Sequence, residues 1–499
     1  MSSYGIVPFE CTSKNAAAVP NILAALTRGE RRGDTRAMEK PADNQLLRGL
    51  PKIDALLATE AAEAHVRILG RGEVLAICRR AVEEAKRRAL QDGEVPDSDR
   101  IAGEVADGCR RARAELLGPV INGTGVLLHT NLGRAPLGAE LFAEAARLVG
   151  GYCNLEINVL SRRRGARGPH VSKLLAELCG AEDAIVVNNN AAALFLILKE
   201  LAAGKRVAVS RGELVQIGGG FRIPEILESS GAALAEVGTT NITALEDYER
   251  AIGDDLAIIL KVHHANFRMS GFVEAPDVRE LAALRRPGLL LVSDLGSGNP
   301  VPGWSGGPHG EPTPREMIAA GADLVCFSCD KMLGGVQAGA IAGRADLVRR
   351  LSQNPAMRIL RVSKVIYAML QIVLTRHALG EHDQVGLWAL ARAPQESVRA
   401  RAAAFLAAHG LGGPMFTVVD SAATFGGGST PGEQIPSAAV RIASRLSPDA
   451  VARRLQNEEP PVVGTVRDDA FQIDFRTVLE ADESPLAAAL AALVAASDG

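Results

Sequence analysis

Lys331 ends a run, Cys326-Phe327-Ser328-Cys329-Asp330-Lys331, in which an apolar strand pattern gives way abruptly to charge and then to Gly334-Gly335. A lysine at a buried strand end is unfavourable unless its amine is paired or covalently bound. A Schiff base with an aldehyde removes that cost and supplies a catalytic base in the same side chain. Upstream, Asp294 ends the apolar run LLLVSD and is followed by Leu-Gly-Ser-Gly. Taken alone, a carboxylate there reads as a helix cap; taken with the lysine, it suits a partner for a protonated pyridine nitrogen. Further upstream, Val186-Val187-Asn188-Asn189-Asn190-Ala191-Ala192-Ala193 runs from a strand into an apolar helix of small residues. Backbone N–H groups at such a helix start can cradle a phosphate, and Asn189, Asn190 and Ala191 are the candidates. The order phosphate turn, Asp294, Lys331 suits pyridoxal 5'-phosphate chemistry on an aminotransferase-like scaffold.

Cys326 and Cys329 invite a rival reading as a redox or metal motif. No second cysteine pair lies nearby to complete a zinc site, and a thioredoxin-like pair belongs at a helix N-terminus, which is not where this pair falls. Ser328, between them, is a further candidate for cofactor contact.

These side chains need a scaffold that places strand ends side by side. From about residue 119, short apolar runs (AIVVNNN, RVAVSRG, LAIILKVHH, GLLLVSD, ADLVCFS) alternate with helical stretches. That alternation predicts an α/β domain with a mostly parallel sheet and its site at the carboxyl ends of the strands. Four segments are expected: a flexible tail over 1–42, a helical domain over 43–118, the large α/β domain over 119–375, and a small α+β domain over 376–499. The last should contain two strands, AAVRIA and FQIDFRTVL, and a terminal helix from Leu486 capped by Ser484-Pro485. Arg79, Arg80, Lys86–Arg88, Arg110, Arg111 and Arg113 fall in the N-terminal helices, either as a local basic patch or as solvated charge paired with nearby glutamates.

The 499 residues carry 47% hydrophobic and 23% charged side chains, as in soluble globular proteins, and are long enough for two or three structural units. A net charge of −3 requires any nucleic-acid partner to be met by a local patch. Seven scattered cysteines are not a disulfide framework and fit a reducing cytoplasm. Neither a signal peptide nor a membrane-spanning apolar stretch is expected.

Six segments resemble the bacterial L-seryl-tRNA(Sec) selenium transferase (selenocysteine synthase) family: INGTGVLLHTNLGRAPL from 121, GAEDAIVVNNNAAA from 180, SRGELVQIGGGFRIPE from 210, DLGSG from 294, DKMLGGVQAG from 330 and NPAMRILRVSK from 354. The resemblance runs from about Leu46 to Leu479. It implies a cytoplasmic, homodecameric enzyme of fold type I that converts seryl-tRNA(Sec) to selenocysteyl-tRNA(Sec) with selenophosphate, through a dehydroalanyl intermediate on pyridoxal 5'-phosphate. By position, it implies Lys331 as the Schiff-base lysine, Asp294 as the pyridinium partner and Asp330 as the lysine's catalytic neighbour. Arg134, Arg358 and Arg361 match arginines for the anionic selenium donor; Arg167, with Arg162–Arg164, offers the same forked donors to donor or tRNA. The N-terminal helices resemble the family's tRNA-binding domain. The chain departs from the family's usual residues at Gln216, His264, Ala265, Cys329 and Val336. Two other readings stay open on the residues alone: a pyridoxal-dependent lyase acting on a small amino acid or amino sugar, and a non-catalytic tRNA-binding protein.

Overall fold

The computed structural model describes residues 47, 49–92, 97–217, 220–302, 304 and 310–495. The chain divides into two units, one of which holds residues from Val120 onward and the other the residues up to Pro119. The segment expected to be a tail, 1–42, lies outside the described residues.

The larger unit is built on a seven-stranded sheet. Its strands are β1 (Asp183–Val187), β2 (Arg206–Ser210), β3 (Ala233–Val237), β4 (Leu256–Val262), β5 (Leu290–Gly296), β6 (Leu324–Ser328) and β7 (Gly339–Gly343). They lie in the order β1-β7-β6-β5-β4-β2-β3. All neighbours are parallel except β7, which is antiparallel to both β6 and β1. The central strands read as continuous apolar runs because both faces are covered. Val292 and Cys326 belong to the core on one face; Leu291, Leu295 and Phe327 belong to the core on the other. The expected mostly parallel α/β sheet and aminotransferase-like scaffold are what the chain forms.

Two strands were not expected. β3 is an edge strand whose residues are mostly part-exposed, so its apolar signal is weak. β7, Gly-Ala-Ile-Ala-Gly, reads locally as a loop, yet every residue in it is buried. Its small side chains answer a close approach: a Cβ at Gly339 would fall 2.2 Å from the Asn189 carbonyl oxygen.

A second sheet in the same unit joins β8 (Phe416–Ala423), β9 (Ile435–Ile442), β10 (Thr465–Arg467) and β11 (Ala470–Asp474), ordered β8-β9-β11-β10 and antiparallel throughout. The two expected strands overlap β9 and β11: AAVRIA is strand up to Ile442, and FQIDFRTVL is strand only over its first four residues, ending at Asp474. Helix Lys364–Ala378 runs through the expected division at 375–376. The terminal helix spans Glu483–Ala495. Ser484 is therefore inside the helix and not its cap, and Pro485 sits in the first turn, where no intrahelical donor is lost.

The smaller unit packs helices Ile53–Leu57, Glu60–Leu69, Arg71–Asp92 and Ser98–Ala114 around Leu56, Val74, Ile77, Ile101 and Val105. Thr59 caps the second by accepting from the Ala62 N–H. Several of its basic residues are paired, Arg88 with Glu104 at 2.6 Å and Arg80 with Glu73 at 3.3 Å, whereas Arg79 and Arg111 are exposed.

Candidate active site

The sheet brings the three expected segments together. β1 ends at Val187, and helix Asn190–Leu201 begins three residues later. Asn189 is the N-cap, in an extended conformation, and its Oδ1 accepts from the Ala192 N–H at 2.8 Å. That bond consumes one of the orphan donors of the first turn and leaves those of Asn190 and Ala191 without an acceptor among the described residues. Asn190 does something the sequence did not announce. Its Nδ2 donates to Asp294 Oδ1 at 2.8 Å, while its own Oδ1 is buried with no hydrogen-bond partner.

Asp294 is buried, and its register partner across the parallel β5–β6 ladder is Cys326. The carboxylate accepts from the Gly296 N–H at 3.1 Å and from the Cys326 thiol. Burial pushes the Asp294 carboxyl above its ordinary range; Asn190, Lys331, Gly296 and Cys326 oppose that rise. Burial also holds the Cys326 thiol protonated. The thiol donates to Asp294, and no cluster of metal-ligating side chains occurs among the described residues.

Lys331 is 5% exposed and forms no ion pair among the described residues. Burial pushes its amine below the usual lysine value, and Arg134 adds to the fall. Two glycines make room for the amine. A Cβ at Gly428 would stand 2.7 Å from Lys331 Nζ, and one at Gly296 would stand 3.8 Å from it. Asp330 accepts from Arg134 Nη1 at 2.8 Å. Arg134 holds left-handed backbone (φ 66°), a conformation uncommon for a residue with a side chain. Ser328 ends β6 opposite Gly339 of β7.

The other expected arginines divide. Arg358 and Arg361 are exposed, the first on helix Met357–Leu360 and the second at its C-cap. Their segment is tied to the phosphate turn, because the Asn188 N–H donates to the Leu360 carbonyl at 2.9 Å. Arg167 is engaged elsewhere: it binds Glu156 at 2.5 Å and the Val362 carbonyl at 3.0 Å, with its guanidinium 6.0 Å from the Tyr367 ring. Nη1 and Nη2 serve the framework, while its Nε is buried with no hydrogen-bond partner among the described residues.

Beside this set is a cavity of about 740 Å³, lined among others by Glu213, Lys261, His263, His264, Glu311 and Thr430. Lys261 and Glu213 form an ion pair at 2.6 Å, and His264 Nε2 bonds the Gly212 carbonyl at 2.7 Å. His263 Nε2 lies 3.1 Å from Glu311 Oε2. Sequence reading passed over His263 and Glu311. The first sits directly after β4, a strand-end position that was a usable signal; the second lies in a Gly- and Pro-rich stretch that offered none.

The family model for L-seryl-tRNA selenium transferase matches residues 120–479, and that for the N terminus of selenocysteine synthase matches residues 47–85. The chain belongs to the L-seryl-tRNA selenium transferase family. The L-seryl-tRNA(Sec) selenium transferase of Hyphomonas neptunium is 41% identical over 450 residues, covering 88% of this chain and 96% of that protein. Its counterpart from Carboxydothermus hydrogenoformans is 39% identical over 452 residues, covering 87% and 95%. Among solved structures, D-glucosaminate-6-phosphate ammonia-lyase shares the fold, with a TM-score of 0.54 at 18% identity over 77% of this chain and 97% of that one.

The residues present fit pyridoxal 5'-phosphate. The two N–H groups of the helix start suit its phosphate, Asp294 suits its ring nitrogen, and the glycine-walled amine of Lys331 suits its aldehyde. The buried, unpartnered Asn190 Oδ1 has a polar group still to meet.

Proposed function

We propose that this chain converts seryl-tRNA(Sec) to selenocysteyl-tRNA(Sec), with pyridoxal 5'-phosphate held on Lys331 and selenophosphate as donor. The observation that carries the reading is the buried pairing of Asp294 with Asn190 beside an amine kept below its ordinary pKa, in a chain of this family.

The bound cofactor supplies an electron sink for the carbanion formed at the seryl α-carbon. The Lys331 amine, once freed, takes the α-proton, and its lowered pKa favours an unprotonated base near neutral pH. Asp294 would hold the ring nitrogen, and the N–H groups of Asn190 and Ala191 would hold the phosphate. Asp330 fixes Arg134, which together with Arg358 and Arg361 meets the donor oxyanion. The helices before Pro119 carry tRNA through exposed residues such as Arg79 and Arg111. Exposed Tyr152, Leu160, Phe272 and Ile359 support a homo-oligomer, for which a decamer is the proposed state. The described helices include none long and apolar enough to cross a membrane, and the cytoplasm is the proposed location.

The test offers purified protein seryl-tRNA(Sec) with selenophosphate and, separately, a panel of small amino acids and amino sugars. Selenocysteyl-tRNA is the expected product. Turnover of the small compounds alone would replace this reading with a lyase.

A further inference from the structure

We propose that His263, oriented by Glu311, is the acid that protonates the hydroxyl leaving the β-carbon of the seryl group; this rests on the selenium-transfer reading above. Hydroxide is a poor leaving group, and the lysine amine is engaged at the α-carbon, so a second proton source is needed.

Position supports the assignment. The His263 N–H donates to the Asp294 carbonyl at 2.9 Å, which ties its backbone to the strand that carries the carboxylate. Two residues on, Ala265 faces Gly296, and a Cβ at 296 would lie 3.8 Å from both Ala265 Cβ and Lys331 Nζ. The segment bearing His263 therefore borders the reactive amine.

Orientation supports it as well. Against an ionised Glu311 the Nε2–H donates, and Nδ1 has no partner among the described residues. The second imidazolium proton is thus left without a protein acceptor, as in other carboxylate–histidine pairs. The Glu311 side chain is 3% exposed and its Oε1 is buried without a hydrogen-bond partner, an unmet acceptor in the wall of the same cavity. The alternatives are occupied: Lys261 by Glu213, and His264 Nε2 by the Gly212 carbonyl.

The step balances. The Cβ–O bond breaks with its electron pair on oxygen, the oxygen takes the proton from Nδ1, water departs, and the imidazole is left neutral. The selenium of selenophosphate, arriving as Se–H, returns that proton to Nδ1 as it bonds to the β-carbon, the Lys331 ammonium gives the α-proton back, and water then cleaves the P–Se bond and releases phosphate.

The experiment compares seryl-tRNA(Sec) with 3-chloroalanyl-tRNA(Sec), whose chloride leaves without a proton. His263→Gln should lose roughly a hundredfold or more on the seryl substrate, and less than about tenfold on the chloro substrate. Glu311→Gln should shift in the same direction by less. Affinity of the cofactor-free protein for pyridoxal phosphate, read by fluorescence, and the melting temperature should stay at wild-type values. Equal losses on both substrates, or a fall in cofactor affinity to match, would overturn the acid role. If the wild-type protein turns over neither tRNA, it is the selenium-transfer reading that fails; if it turns over both and His263→Gln loses both alike, only the acid assignment fails.

Discussion

Asn190 Nδ2 and Asp294 Oδ1 are joined at 2.8 Å, so the first residue of the helix that would cradle a phosphate also steadies the carboxylate at the opposite end of the site. Because burial drives the Asp294 carboxyl upward, each donor that opposes it helps keep a negative charge for the ring nitrogen. Asn190→Ala removes one. A hydrogen bond to a charged group contributes about 1.5–3 kcal/mol, so affinity for pyridoxal phosphate should fall roughly ten- to a hundredfold in a fluorescence titration. Wild-type affinity in that variant would show that the bond does not tune the carboxylate.

Gly428 and Gly432 provide a matched pair of substitutions. Both have left-handed backbone, with φ of 90° and 81°, so alanine at either costs about 1–2 kcal/mol in backbone strain. Only at 428 would the new methyl collide with Lys331 Nζ; nothing lies within 4 Å at 432. Borohydride-trapped cofactor should fall at least about tenfold in Gly428→Ala and stay near wild type in Gly432→Ala. Equal trapping in the two variants would mean that the amine does not depend on that space.

How much of this was legible beforehand follows from range of interaction. β1, β2, β4, β5 and β6 are apolar runs, and Asp294 and Lys331 stand out because charge at the end of such runs is unusual. β7 was hidden because its composition is set by the Asn189 carbonyl, remote in sequence. The Arg134–Asp330 and His263–Glu311 pairs join residues separated by 196 and 48 positions, and no local pattern encodes either. Arg167 was grouped with the ligand-binding arginines because sequence shows its charge but not that Glu156 and the Val362 carbonyl have already claimed it.

That difference among the arginines is measurable. Arg358→Ala or Arg361→Ala should lower selenium transfer roughly ten- to a hundredfold, the worth of a charge-assisted contact, with seryl-tRNA binding and melting temperature unchanged. Arg167→Ala should instead lower the melting temperature. A stable Arg167→Ala protein with impaired donor use would reverse the assignment.

His377 gives the protein a pH limit. Its Nε2 donates to the Leu333 carbonyl at 2.9 Å, so in the neutral ring its Nδ1 accepts from His382 Nδ1 at 2.8 Å. Burial pushes His377 down to about 4 from an ordinary 6.5. The unfolded chain then takes up the proton first, so this stability is complete above about pH 6.5 and is lost as pH falls toward about 4. The full loss is about 3 kcal/mol. His377→Gln, which still donates to Leu333, should flatten the melting-temperature profile between pH 7 and 4.5, roughly that interval. A profile as steep as wild type would place the acid sensitivity elsewhere.

The lysine loop is held by its carbonyls. Those of Cys329, Asp330, Lys331, Met332 and Leu333 accept in turn from the Gly335 N–H, the Ala135 N–H, the Gly334 N–H, Trp388 Nε1 and His377 Nε2. Three of those five donors come from distant parts of the chain, one of them beyond residue 380. A polypeptide emerging from the ribosome therefore passes Lys331 before it has made two of the groups that shape the loop around it, His377 and Trp388. Chains stalled short of Trp388 should already contain all seven strands of the central sheet yet be unable to retain the cofactor, so cofactor capture waits for segments made after Lys331.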